Sequence, residues 1–124
     1  MNTSKHEPCP DWLREATDGL ERGLEEIGDE QSLAELAEVR AARATGSVAE
    51  LCRVVYRQQS RDRRQCKEII DALRPGGGRG RRLLTRAIAS ARAVSRSLVR
   101  LRRFMETRGI DVPYAPSSGR GGEA

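Results

Sequence analysis

One imidazole, His6, and three thiols, Cys9, Cys52 and Cys66, are all that the chain offers for histidine acid–base, thiolate or soft-metal chemistry. A catalytic histidine needs a carboxylate or a nucleophile within hydrogen-bond reach, and His6 stands in a polar stretch near Pro8 with no such companion in its pattern. No Glu-x-x-His, His-x-x-x-His or Cys-x-x-Cys occurs, which removes the di-iron bundle and zinc signatures. Cys52 and Cys66 lie 14 residues apart, about 21 Å along a single helix and beyond the reach of a disulfide. Three cysteines without knuckle spacing also speak against a secreted disulfide framework. They read as semi-buried thiols, with an intermolecular or redox role left open. The expectation is a protein that is not an enzyme and holds no cofactor or metal.

Arginine is the abundant functional group, with 21 copies against two lysines. Its planar fork suits phosphate and carboxylate, although a GC-rich coding bias would enrich it equally. The enrichment is concentrated: residues 81–108 hold nine arginines and one acid, Glu106. Within that span Arg92, Arg96, Arg100 and Arg103 fall together at helical spacing, opposite an apolar seam. Such an electrostatic face could follow a phosphate backbone. Aromatic residues for base stacking are missing, no helix-turn-helix pattern is present, and residues 1–50 carry a net −7 that could occupy the same surface. A solvated face, or one that meets an acidic protein, is therefore favoured over nucleic acid.

The elements that must carry this face follow from composition. Leu, Ile, Val and Phe make up about 19% of the 124 residues and aromatics 3%, so a core must be built from aliphatic side chains on helices rather than on a β-sandwich. The length suits one domain. A core this sparse leads to the expectation of a homodimer. The apolar runs are too short to cross a bilayer or to form the apolar stretch of a signal peptide, which places the protein in the cytoplasm and away from membranes.

Four helices are predicted, all in one helical domain over residues 11–113, between a flexible N-terminus at 1–10 and a disordered tail at 114–124. The first helix starts at Pro10-Asp11 and ends at Gly28, with Leu13, Leu20, Leu24 and Ile27 at helical spacing and Trp12 beside them. Gly19 and Gly23 weaken it, or allow a close helix crossing. Ser32-Leu33-Ala34-Glu35 and Ser47-Val48-Ala49-Glu50 are capping-box patterns that mark the next two starts. The second helix presents Leu33, Leu36, Ala37, Ala41 and Ala44 on one face. The third runs from Val48 to Leu73 on a seam of Val48, Cys52, Val55, Gln59, Asp62, Cys66, Ile69 and Leu73. Its polar waist is either a solvated or kinked middle or a buried polar layer that fixes register or receives a partner. Pro75 to Arg82 reads as a hinge. The fourth helix carries the clearest seam, with Leu84, Ala87, Ala91, Val94, Leu98, Leu101 and Met105 in steps of three and four. The expected architecture is all-α: a small bundle in which a long antiparallel hairpin, about 48–74 and 82–108, packs with two shorter acidic helices. Leu84, Val94, Leu98, Leu101 and Met105 form its expected oligomer or partner seam, and Trp12 and Phe104 are candidate interface anchors.

A third helix ending in Ile69-Ile70-Asp71-Ala72-Leu73-Arg74-Pro75, a glycine break, a small-residue helix through Ala87, Ile88, Ala91 and Leu98, and the close Gly109-Ile110-Asp111-Val112-Pro113 together resemble the TraM type of quorum-sensing antiactivator. The resemblance covers about residues 48–113. It implies a helical dimer that binds a LuxR-type transcription factor and blocks its action on DNA. The function expected on these grounds is a non-catalytic regulator that binds a protein partner. The alternative is a basic nucleic-acid-binding or phage-type accessory protein that uses the arginine face.

Overall fold

The computed structural model describes residues 8–113, without the side chains of residues 77–79. The expectations placed on His6 and the rest of 1–7, and on the tail 114–124, lie outside the described residues. Four α-helices and no strand make up the described chain: α1 (Asp11–Ile27), α2 (Glu30–Ala44), α3 (Val48–Leu73) and α4 (Arg81–Thr107). A 3-10 segment, Arg74–Gly80, joins the last two. The long pair packs along its length as a helical hairpin, α2 lies on both α1 and α3, and α1 touches α3.

Local chemistry accounts for most boundaries. Ser47 Oγ accepts from Glu50 N at 3.1 Å, so the second capping pattern starts α3 as expected. The first does not start α2. Asp29 is its cap, with Oδ1 accepting from Ser32 N at 2.7 Å, and Ser32 is a buried residue inside the first turn. Asp29 is as good a cap as serine and lies just upstream, so the helix begins there. Gly28 (φ 69°) takes the left-handed conformation that closes α1. Gly109 (φ 71°) does the same after α4, where Ile110 N donates to Met105 O at 2.8 Å and Gly109 N to Glu106 O at 3.2 Å, turning Ile110 and Val112 back onto the core.

The core sits at one end of the hairpin. Leu13 and Leu24 of α1, Leu36, Val39 and Ala42 of α2, Leu51, Cys52, Val54, Val55 and Tyr56 of α3, and Leu98, Leu101 and Met105 of α4 form one buried cluster. Cys9, within the terminus expected to be flexible, packs against it. The face of α2 differs from expectation. Leu36, Val39 and Ala42 are buried, whereas Leu33, Ala37, Ala41 and Ala44 are exposed, because α2 must fit the angle between α1 and α3. α3 also buries more than its expected seam. Leu51, Val54 and Gln58 are covered because α2 packs on a second side of it, while Asp62 and Ile69 of the expected seam are exposed.

Helices of 26 and 27 residues outrun companions of 17 and 15, a difference of about 15 Å at 1.5 Å per residue. The hairpin's distal half therefore projects from the four-helix body as a two-helix arm. Among its described side chains only Cys66 is buried. The segment expected to be a hinge closes its tip as a 3-10 turn, and Leu73 packs so near Gly80 that an added Cβ there would lie 3.1 Å from Leu73 Cδ2.

Candidate functional site

Charge separates the body from the arm. Residues 59–97 hold eleven Lys/Arg against three Asp/Glu, a net +8, whereas the whole chain has +5. In the body, arginines meet acids across helix pairs. Arg43 bridges Asp18 at 2.6 Å and Glu21 at 2.8 Å, and Arg40 approaches Glu21 at 3.7 Å and Glu25 at 3.8 Å. The two carboxylates hold the Arg43 guanidinium's pKa above its ordinary value through hydrogen bonds. Between α2 and α3, Arg57 meets Glu38 at 3.8 Å and Arg61 meets Glu35 at 3.0 Å. Acidic helices thus cover basic ones within this chain.

The polar waist of α3 is a connected layer. Gln31 Nε2 donates to Glu35 Oε2 at 2.8 Å. The buried Gln58 amide, oriented to suit its neighbours, donates to Glu35 Oε1 at 3.1 Å and accepts from Arg61 Nη1 at 3.1 Å. On the other side Ser97 Oγ donates to Gln59 Oε1 at 2.9 Å, tying α4 to α3. Of the alternatives for this stretch, the buried polar layer describes Gln58, with Gln59 half-buried beside it, while residues 62–65 are exposed. Asp62 reaches no cation within bridging distance, and partial desolvation raises its carboxyl above the usual range. Burial, with Asp62 nearby, raises the Cys66 thiol, and burial raises Cys9, so both thiols are kept protonated rather than activated.

On the arm the arrangement is different. An open groove runs between α3 and α4, bordered by Arg63, Arg64, Lys67 and Arg74 on one helix and by Arg92 and Arg96 on the other. Its floor is Ile70, Ile88, Ala91 and Ser95, all half-buried. The helical repeat sets Arg63, Lys67, Ile70 and Arg74 on the side of α3 opposite Val54, Gln58 and Arg61, the side that α2 covers. Lys67 is held by Asp71 at 3.1 Å. The five bordering arginines form no ion pair with a described carboxylate. Val99, 51% exposed, continues the floor one turn beyond Ser95.

The expected arginine face divides accordingly. Arg92 and Arg96 border the groove, and Arg103 is exposed farther along α4 on the side of Arg92. Arg100 instead lies over Trp12, 5.6 Å from its ring centroid. The expected partner seam is largely internal. Leu98, Leu101 and Met105 are buried in the chain's own core, because α1 and α3 close over that half of α4, and only Leu84 and Val94 are left half-buried. Trp12 and Phe104 meet edge to face at 5.4 Å and pack on the core, with Arg108 3.9 Å over Phe104, so they brace the body rather than stand free as anchors. The α3 border, Arg63, Arg64, Lys67 and Arg74, was missed. Its signal is an arginine cluster whose side of the helix is set only once α2 is placed.

A second depression lies on the covered side, where Gly19, Gly23 and Ile27 of α1 face Gln58, Asp62 and Gln65 of α3. Gly19 and Gly23 have open space where a Cβ would stand, so they support no close helix crossing. Among the described residues no three His, Cys, Asp or Glu side chains gather as a metal site, and no helix is long and apolar enough to cross a membrane. Compared with protein-family models, curated proteins and solved structures, the chain matches none of them.

Proposed function

We propose that the protein is a non-catalytic regulator that binds another protein through the distal arm of its helical hairpin. The carrying observation is the contrast in charge pairing. Arg40, Arg43, Arg57 and Arg61 of the body meet carboxylates of the chain's own α1 and α2, while the arginines bordering the arm groove stand unpaired over an apolar floor. Unpaired guanidinium groups beside half-buried aliphatic side chains are the composition of a protein interface, in which arginine is enriched. The antiactivator reading narrows the partner to a LuxR-type transcription factor and draws on the TraM resemblance of residues 48–113 alone. Homodimerisation keeps a smaller apolar basis than the sequence offered: Ile69, Leu83 and Val99 are exposed on the hairpin, and Ile27 and Leu33 on α1 and α2.

The net +8 of the arm supports a second reading, contact with nucleic acid. Affinity capture from the source cell separates the two. A protein retained after nuclease treatment, and lost with Arg92→Glu/Arg96→Glu, is expected. Capture that nuclease abolishes, with duplex DNA binding that persists at about 0.15 M salt, would replace the protein partner with a phosphate backbone.

A further inference from the structure

We propose that the arm groove is a docking site for an acidic amphipathic helix, laid between α3 and α4 with its apolar face on Ile70, Ile88 and Ala91. The inference rests on the protein-binding reading and adds the site and the chemistry of the partner. The groove follows α3 from Ser60 to Arg74, 14 residues or about 21 Å, which matches four turns of a third helix. Ala91 and Ser95 are small enough to let such a helix approach closely. Arginines rise on both sides of the floor, so acids on both flanks of one apolar stripe would meet them.

The chain already shows this recognition once. α2 is an acidic helix that buries Leu36, Val39 and Ala42 while Glu35 and Glu38 reach Arg61 and Arg57 of α3. The opposite side of the same α3 repeats the pattern, an aliphatic centre flanked by cations with Asp71 beside Lys67, and among the described residues no acidic helix lies on it. A helix in a groove is read through apolar anchors at i, i+3 or i+4 and i+7, and Ile70 with Ile88 supplies the complementary surface.

Nucleic acid uses less of what is present. Residues 59–97 contain no aromatic side chain on which a base could stack. A duplex would engage the arginine rims and leave the half-buried isoleucines without a role.

The test is fluorescence anisotropy with the full chain and a labelled synthetic 18-residue Leu/Ala/Gln/Glu helix of net charge about −6, chosen to cover the groove at 1.5 Å per residue. A peptide of identical composition with its apolar residues scattered is the control, beside a DNA duplex of 20 base pairs, about two helical turns. The amphipathic peptide is expected to bind at least about tenfold tighter than the scattered one, a difference of about 1.4 kcal/mol. Arg63→Glu with Arg96→Glu is expected to weaken it by a similar factor, and Arg14→Glu, on the body, to leave it unchanged. Methyl NMR of the wild type needs no substitution, and the Ile70 and Ile88 signals should shift with peptide. Equal binding of both peptides, or no change at those methyls, would overturn the groove while leaving a protein partner elsewhere on the chain possible to capture. Displacement of the peptide by the duplex at about 0.15 M salt, with arm-dependent capture abolished by nuclease, would overturn the groove and the protein-binding reading together.

Discussion

Asp62 carries a charge that folding disfavours. Its carboxyl is raised by partial desolvation and no cation offsets it, so the folded chain holds the proton to higher pH than the unfolded chain does. The neutral acid therefore favours the fold, fully below the unfolded pKa, and that advantage fades as pH rises through the folded value. Asp62→Asn should raise the melting temperature near pH 7 and leave it unchanged near pH 3, which thermal melts at the two values would check. The buried end of α4 gives a prediction of larger size. Leu101 is fully buried and Leu84 only half, so Leu101→Ala should cost about 2–5 kcal/mol in denaturant unfolding, while Leu84→Ala should cost clearly less. At this scale the sequence made both residues legible as members of one apolar seam. Periodicity states that a face is covered and is silent on what covers it, which is why Leu98, Leu101 and Met105 read as partner-facing although the chain covers them itself. Arg100 is exposed, as a member of the arginine face should be, but its ring contact was illegible for a related reason. Trp12 lies 88 residues away in sequence, and only the fold brings its ring under the guanidinium.

Helix starts separate two serines that look alike on paper. Ser47 caps α3 through its hydroxyl, so Ser47→Ala should destabilise by about 1 kcal/mol. Ser32→Ala should show no loss of a cap, since Asp29 provides it. Hydrogen bonds from Ser32 lower the Asp29 pKa, so this cap is complete above the ordinary carboxylate range and is lost as pH falls through the depressed value. Far-ultraviolet circular dichroism during denaturant titration would compare the two serine variants. Gly19 and Gly23 offer a change of the opposite sign. Each sits inside α1 with nothing within 4 Å of where a Cβ would be, so Gly19→Ala or Gly23→Ala should stabilise by about 0.5–1 kcal/mol. A loss of stability would show that α1 is held closer to a neighbour than the structure places it. The extents of α1, α3 and α4 were legible because periodicity, caps and glycine closures agree on them. The buried face of α2 was not, since Leu33 and Leu36 are equally apolar and the angle between α1 and α3 decides which of them turns inward.

At the scale of the whole chain, two regions of unequal stability share the same long helices. The body closes over one aliphatic cluster and is tied by cross-helix arginine pairs. Among the described side chains of the arm only Cys66 is buried, and Ile69 and Leu83 are about half exposed at 49% and 58%. Segments with few buried apolar contacts open without global unfolding. Amide exchange in dilute solution should therefore be faster over residues 63–72 and 82–93 than over 49–58 and 98–105. The two regions should differ even within one continuous helix, so a uniform rate along α3 would rule out an independent arm. Repeating the measurement at rising protein concentration tests self-association on the same amides, because a second copy covering Ile69 and Leu83 must slow exchange there. Light scattering on the same samples fixes the mass. Selective slowing of the arm, accompanied by a doubled mass, is the outcome expected of a homodimer. Fast arm exchange at monomer mass throughout would leave the arm uncovered by its own kind, and slowing on addition of the acidic helix would then assign that surface to a different protein.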